Sequence, residues 1–176
     1  MGLVQALAPA PSRLDEARLR DGMARLASGV TLITCWADGA PVGLAATSLV
    51  SLSVNPPRLL FSVRRAASAH DALLKAGRCA AVALAEADLD EAQLFAASDV
   101  LGRRFKSPAW RLNDPFAPRY SGGVARFDLA IEHRIRAAEH TILIAEVLEV
   151  ASQPGAPLLY FERNFAGLVQ DPQPAA

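Results

Sequence analysis

Four stretches of the chain hold residues whose types and spacing could do chemistry. The first is Gly43 to Ser53 (GLAATSLVSLS), where alanine, threonine and serine crowd a segment that would otherwise be bulky. Small side chains let a flat ligand lie against backbone, and hydroxyls offer donors and acceptors to its polar edge. A close-packed strand with outward Ser and Thr reads the same way. The second is Arg64 to Asp71 (RRAASAHD), a basic pair leading into a helix start. Free N–H groups, the positive end of the helix and nearby guanidinium groups would make a phosphate cradle. Ser68 with Asp71 could equally be a plain capping pair. The third, Gly102 to Lys106 (GRRFK), sets a basic cluster around one aromatic, able to close over an anionic cofactor or simply solvated. The fourth is Glu139-His140-Thr141 at a strand entry, where a histidine can orient a ligand or move a proton near neutral pH. A surface Glu–His pair is the plain alternative.

The whole chain narrows what these stretches can be. Its 176 residues suffice for one core-bearing domain. With 52% hydrophobic and 20% charged residues it lies far from the composition of disordered chains. Eighteen Lys and Arg balance eighteen Asp and Glu, so no net basic field is available to hold nucleic acid or an anionic membrane. Cys35 and Cys79 each sit in an apolar run without CxxC spacing, and read as buried thiols in a reducing compartment. His70 and His133 have no partner at ligand spacing, which argues against a metal site. The N-terminus MGLVQALAPAPS lacks the pattern of a signal peptide or membrane span, so the expected location is the cytoplasm. No GxSxG, P-loop or GxGxxG occurs, which removes the simplest hydrolase, NTPase and Rossmann readings.

The elements that must position these residues follow from periodicity. Residues 1 to 11 and 169 to 176 read as loose tails around one domain over residues 12 to 168. An amphipathic helix is expected from Ser12, acting as cap, to about Gly29. Strands are expected at Val30 to Trp36, then, after an Asp38-Gly39 turn, at Val42 to Ser53, and again at Arg58 to Val63. A helix from Ser68 to Gly77, a strand at Cys79 to Leu84 and a helix opening at Asp88 come next. Residues 98 to 123 form a loop too long for an idle connector. Residues 125 to 134 alternate with one dry and one wet face, Thr141 to Val150 is nearly all apolar, and Pro157 to Phe161 closes the series. Seven strands with three irregularly placed helices exclude a repeating βαβ pattern and point to a mostly antiparallel, mostly β barrel with peripheral helices.

In this order the segments resemble the flavin reductase-like family, the short-chain NAD(P)H:flavin oxidoreductases that serve as reductase components of two-component flavin monooxygenases. The likeness spans about residues 18 to 168, through LRDGMARLASGVTLITC, GLAATSLVSLSVNPPRLLFSV, RRAASAHDALL, RRFKSPAW, EHTILIAEVLEV and PLLYFERNF. It implies a Greek-key split β-barrel that binds FMN or FAD, usually as a homodimer with each flavin near the subunit contact. By position, Leu44, Ala45, Ala46, Thr47, Ser48 and Ser51 would line the flavin ring and ribityl chain. Ser62, Val63, Arg64, Ser68 and His70 would approach the ribityl and phosphate, with Arg104 and Phe105 against the phosphate end. His140 would stand on the nicotinamide side as the catalytic residue. The implied reaction is hydride transfer from NADH or NADPH to flavin, chemistry that needs no protein nucleophile, and the product would reach a partner monooxygenase by diffusion. The family often has Gly-Asp at Ala138-Glu139 and Tyr at Phe165. Those departures leave room for a second reading, a protein of the same fold that holds FMN without nicotinamide turnover, and the related pyridoxamine-phosphate oxidases supply a third.

Overall fold

The computed structural model describes residues 15–97 and 100–169. Helix α1 (Glu16–Ala24) is followed by β1 (Ser28–Gly29), β2 (Thr31–Ala37), β3 (Ala40–Ala46), β4 (Val50–Ser53) and β5 (Arg58–Arg64). Then come α2 (His70–Ala76), β6 (Arg78–Ala83), a 3-10 turn at Glu86–Asp88 and α3 (Leu89–Ala96). After a second 3-10 turn at Leu101–Arg103, the chain forms β7 (Trp110–Arg111), β8 (Arg119–Tyr120), β9 (Ala125–Ala137), β10 (His140–Ser152), β11 (Leu159–Phe161) and β12 (Asn164–Ala166). Seven strands in the order β3-β2-β6-β9-β10-β5-β4 make one antiparallel sheet, which curls until β3 lies beside β5. The mostly β barrel with peripheral helices is therefore the architecture found.

The non-alternating runs have a simple cause. β2 is covered on both faces: Ile33 and Cys35 enter a core with Phe61, Leu73, Cys79, Leu129 and Leu143, while Leu32, with Val30 just before the strand, enters a second core with Val82, Leu84, Phe95 and Trp110. A strand buried on both sides has no wet face to encode. Helix α2 closes the first core through Leu73, and α3 closes the second through Ala92 and Phe95.

Several expectations are corrected. Helix α1 begins at Glu16, capped by Asp15, whose side chain accepts from the Ala17 N–H at 3.0 Å, and it ends at Ala24 rather than Gly29. Ser12, the expected cap, and both expected tails except Val169 lie outside the described residues. None of the α1 side chains is buried, and its apolar residues Leu19 and Met23 remain exposed. The strand expected from Val42 to Ser53 is two strands, β3 and β4, at opposite edges of the sheet. Periodicity does not see that break, because residues 47–49 are as strand-like as their neighbours. Helix α2 starts at His70 after Ala69 with no side-chain cap, so the Ser68–Asp71 capping pair does not form. Asp88 lies in the 3-10 turn, and α3 proper starts one residue later. The wet face of β9 fails at Asp128, which is buried beneath the long loop and bonded by both guanidinium N–H groups of Arg119. β1, β7, β8 and β12 are too short for periodicity to reveal.

The turns follow their local chemistry. Asp38 and Gly39 both take positive φ, as a two-residue hairpin requires. Ala138 also sits at positive φ, in the turn between β9 and β10, a conformation that favours glycine.

Both thiols are fully buried and unpaired. Burial pushes Cys35 from 9.0 up to about 11 and raises Cys79 as well. Neither should react with a thiol-specific disulfide reagent in the native protein, and both should react after unfolding in urea. Between pH 9.0 and about 11 the unfolded chain releases the Cys35 proton while the folded chain retains it, so stability should fall as pH rises through that window. Urea midpoints measured across it give the check; a midpoint that climbs there would contradict the burial argument.

Candidate functional site

The barrel is closed at one point by a side chain instead of a ladder. Beyond the end of β3, the Ser48 hydroxyl donates to the Ser62 carbonyl at 3.1 Å and accepts from the Ser62 N–H at 3.0 Å, pinning the connection to β5. Beside this seam opens a cleft of about 450 Å³, within the range of small-molecule sites. Leu44, Ala45, Ala46, Thr47 and Ser48 line one wall, and Ser62, Val63, Arg64, Ala66, Ala67 and Ser68 another. Phe95, Ala96, Leu101 and Arg104 complete it.

The small-residue shelf and the Arg64–Ser68 stretch thus come together although β3 and β5 belong to different parts of the sequence. Thr47, Ser62 and Ser68 bring hydroxyls, the alanines leave room for a planar group, and Arg64 brings an exposed cation. That donor set fits a flat ring system carrying a polar edge and a phosphate.

Other expected residues stand elsewhere. Ser51 is exposed on β4, opposite Leu59, and does not line the cleft. His70 is buried, with Nδ1 2.7 Å from an Asp71 carboxylate oxygen and Nε2 2.9 Å from the Thr141 hydroxyl. Because a carboxylate only accepts, a neutral His70 carries its proton on Nδ1 and receives the Thr141 hydroxyl proton at Nε2. Both ring nitrogens are therefore engaged inside the protein. Phe105 is turned into the second core, at ring distances of 5.0 Å from Phe95 and 4.6 Å from Trp110. His140 opens β10 in register with Arg64, at the rim and not among the lining residues. Next to it, Glu139 lies 3.6 Å from the Arg64 guanidinium.

Arg104 lines the cleft but its donors point inward. Its Nε bonds the Leu94 carbonyl at 3.2 Å, Nη1 the Gly43 carbonyl at 3.0 Å, and Nη2 the Phe95 and Ala97 carbonyls at 3.0 and 2.6 Å. The guanidinium carbon is 5.1 Å from the Phe95 ring centroid. Burial lowers the Arg104 pKa, and among the described residues no carboxylate pairs with it. This geometry makes Arg104 a clamp joining β3 to the C-terminal end of α3. Gly43 permits the close approach, since a Cβ there would lie 2.9 Å from the Ile33 carbonyl oxygen and 3.0 Å from Phe95.

Phe95, Ala96 and Leu101 are lining residues that sequence reasoning missed, and an apolar residue on a helix or loop carries no signal to separate lining from core. Ala66 and Ala67, within the Arg64 to Asp71 stretch, also line the cleft. A larger cleft of about 710 Å³ lies between the long loop and the β9–β10 hairpin. Its arginines are already matched in part: Arg119 pairs with Asp114 and Asp128, and Arg126 with Glu149. The smaller cleft is the better candidate for a phosphate-bearing ligand.

A split barrel with a shelf of small residues and one cation at its mouth defines a class of protein built to seat a flat, polar-edged ligand. Comparison with known proteins makes that specific. Residues 23–168 match the flavin reductase like domain. The NADH-dependent FMN reductase RutF of Stutzerimonas stutzeri is 35% identical over 150 residues, covering 85% of this chain and 86% of that protein. The NADH-dependent FMN reductase SmoA of Agrobacterium fabrum is 31% identical over 150 residues, covering 85% of this chain and 84% of that protein. The solved structure of the Streptomyces globisporus NADH:FAD oxidoreductase SgcE6, with NAD and FAD fragments, matches with a TM-score of 0.82 at 28% identity, over 89% of this chain and 94% of that one. The chain belongs to the flavin reductase-like family.

The clamp can be tested directly. Arg104→Ala leaves four carbonyls without their donor and should lower stability by about 3 kcal/mol, read as a shift of the urea midpoint. Arg104→Lys, lacking the planar fork, should recover only part of it. A residue that acted only on a ligand phosphate would leave the ligand-free midpoint unchanged.

Proposed function

We propose that this chain is an NAD(P)H:flavin oxidoreductase that reduces FMN or FAD and releases it to a partner monooxygenase. The observation that carries the reading is the cleft itself, a ring-sized slot between the Leu44–Ser48 shelf and the Ser62–Ser68 stretch, in a chain of the flavin reductase-like family. NADH as the donor is supported by the activities of the RutF and SmoA relatives. When bound, a flavin supplies the redox chemistry, accepting a hydride from the reduced nicotinamide. The residues of this chain bind and orient.

Leu44, Ala45 and Ala46 offer a flat backbone-close surface, Ser48 and Ser62 fix the spacing of the two walls, and Arg64 with Ser68 takes the phosphate. Holding two rings in one geometry removes the entropy of their encounter from the barrier. His140, in register with Arg64 at the rim, orients the nicotinamide in this reading. Because the product must leave, flavin affinity is expected on the order of micromolar, about −8 kcal/mol.

The departures at Ala138-Glu139 and Phe165 motivate one alternative, a protein of the same fold that holds FMN without nicotinamide turnover. The Arg64–Glu139 pair speaks against it, because a carboxylate on the rim cation competes with an incoming phosphate and so suits a protein that releases its flavin. Purified protein given NADH or NADPH with FMN or FAD should consume nicotinamide far above a protein-free control. A protein that stays yellow through dialysis and ignores both nicotinamides would establish the alternative. His140→Ala should slow turnover more than it weakens flavin binding, whereas Arg64→Ala should mainly raise the KM for flavin.

Homodimerisation belongs to the same proposal. The apolar residues of α1, Leu19 and Met23, are exposed, as are Val50 and Leu52 on β4 and Leu148 and Val150 on β10. Exposed apolar side chains on β4 and β10 of one sheet, together with those of α1, support a protein contact on this face. Sedimentation should give twice the chain mass, and Leu52→Asp should shift it toward the single chain. Among the described residues no helix is long and apolar enough to cross a membrane, and the cytoplasm is the proposed location.

A further inference from the structure

An aromatic path leads away from the flavin cleft, and its two oxidisable members each carry an acid. Phe95 lines the cleft, and its ring centroid is 5.4 Å from that of Trp110. Trp110 is in turn 5.0 Å from Tyr120, which lines the larger cleft on the other side of the second core. The Trp110 Nε1–H donates to a Glu91 carboxyl oxygen at 2.7 Å, and the Tyr120 hydroxyl donates to Asp88 at 2.9 Å.

Ordinary packing explains only part of this. A buried indole N–H or phenol needs a partner, but a carbonyl or amide serves. Glu91 and Asp88 are both buried, and placing acids in a core is unfavourable unless they are well bonded. Asp88 also accepts from the Ala85 and Gly123 N–H groups, so its position has a structural reason. Glu91 has none of that kind: its one side-chain hydrogen bond among the described residues is the indole N–H. A glutamine would satisfy Trp110 equally well. An acid instead adds the capacity to take a proton when the ring loses an electron.

We propose that Trp110 and Tyr120 form a proton-coupled hole relay, which carries one-electron oxidising equivalents out of the flavin cleft to the surface at Tyr120. The source rests on the flavin reductase reading: reduced flavin that meets dioxygen outside its partner gives rise to oxygen-derived radicals at the cleft. The radical takes one electron from the Trp110 indole and is itself reduced by one electron, while the indole Nε1 proton moves to the Glu91 carboxylate. Tyr120 returns one electron to Trp110, the proton returns from Glu91 to the indole nitrogen, and the phenolic proton of Tyr120 moves to the Asp88 carboxylate. What remains is a neutral tyrosyl radical beside protonated Asp88, open through the larger cleft to a soluble thiol, which returns a hydrogen atom equivalent while Asp88 loses its proton to water. Burial with Asp88 and Glu91 nearby holds the resting Tyr120 phenol protonated well above its usual range, so the proton leaves with the electron.

The relay can be read in the full chain without flavin. In a Trp36→Phe background, Trp110 is the remaining tryptophan, and pulse radiolysis with azidyl radical produces its indolyl radical. The indolyl signal should decay as a tyrosyl signal rises, at a rate independent of protein concentration and slowed in deuterated water. Tyr120→Phe should abolish the rise although Tyr160 remains. A rise that survives Tyr120→Phe, or that scales with protein concentration, overturns the relay. Glu91→Gln, which keeps a partner for the indole, should preserve the fold and slow the conversion; an unchanged rate removes Glu91 from the relay and overturns the role given to it. A separate arm uses added FMN, whose emission should be quenched on binding and regain intensity in Trp110→Phe. Radiolytic conversion in a protein that binds no FMN would support the relay and refute the flavin source. Bound FMN with no conversion would do the reverse.

Discussion

The candidate site depends on one buried cation. Arg104 reaches across from the long loop to the carbonyls of Gly43, Leu94, Phe95 and Ala97, so β3, the end of α3 and the loop become one wall. Four carbonyls converge there, three of them at or just before a helix C-terminus, where intrahelical donors run out. A guanidinium satisfies several at once because its donors lie in one plane. The same contact keeps Phe95 against the cleft and Gly43 against Phe95. Without it the side of the cleft formed by Phe95, Ala96 and Leu101 would lose its tie to the shelf of small residues.

Around that wall the barrel stays deliberately incomplete. β3 and β4 are consecutive, yet they leave the sheet at opposite edges, and the seam between β3 and β5 is bridged by the Ser48 hydroxyl. A closed ladder would bury the backbone that a flat ligand must approach. An open seam leaves hydroxyls and backbone groups of residues 44–48 and 62–68 facing the same space. Function and fold thus share a single irregularity, and the two cores on either side of β2 keep it rigid.

Much of the site was legible because its residue types are unusual for their setting. Alanines and hydroxyls in a strand, or a basic pair before a short helix, stand out against bulky apolar neighbours. The roles of Arg104, Phe105 and His70 were not legible in the same way. A basic residue on a loop reads as solvent-facing or ligand-facing, and nothing local reveals four carbonyls gathered from positions 43, 94, 95 and 97. His70 likewise meets Thr141 only because α2 packs beside the start of β10.

The sequence by itself determined the strands of the main sheet, the hairpin at Asp38-Gly39, the buried state of Cys35 and Cys79, and the family resemblance, since each rests on local periodicity, turn chemistry or ordered motifs. The tertiary structure decided where Val42 to Ser53 breaks, that Asp128 on a nominally wet strand face is buried against Arg119, and which residues of α3 and the loop face the cleft. The reason is one of range. Periodicity reports whether a residue is covered, but not by what, and a cleft is defined by surfaces that the chain brings together from afar.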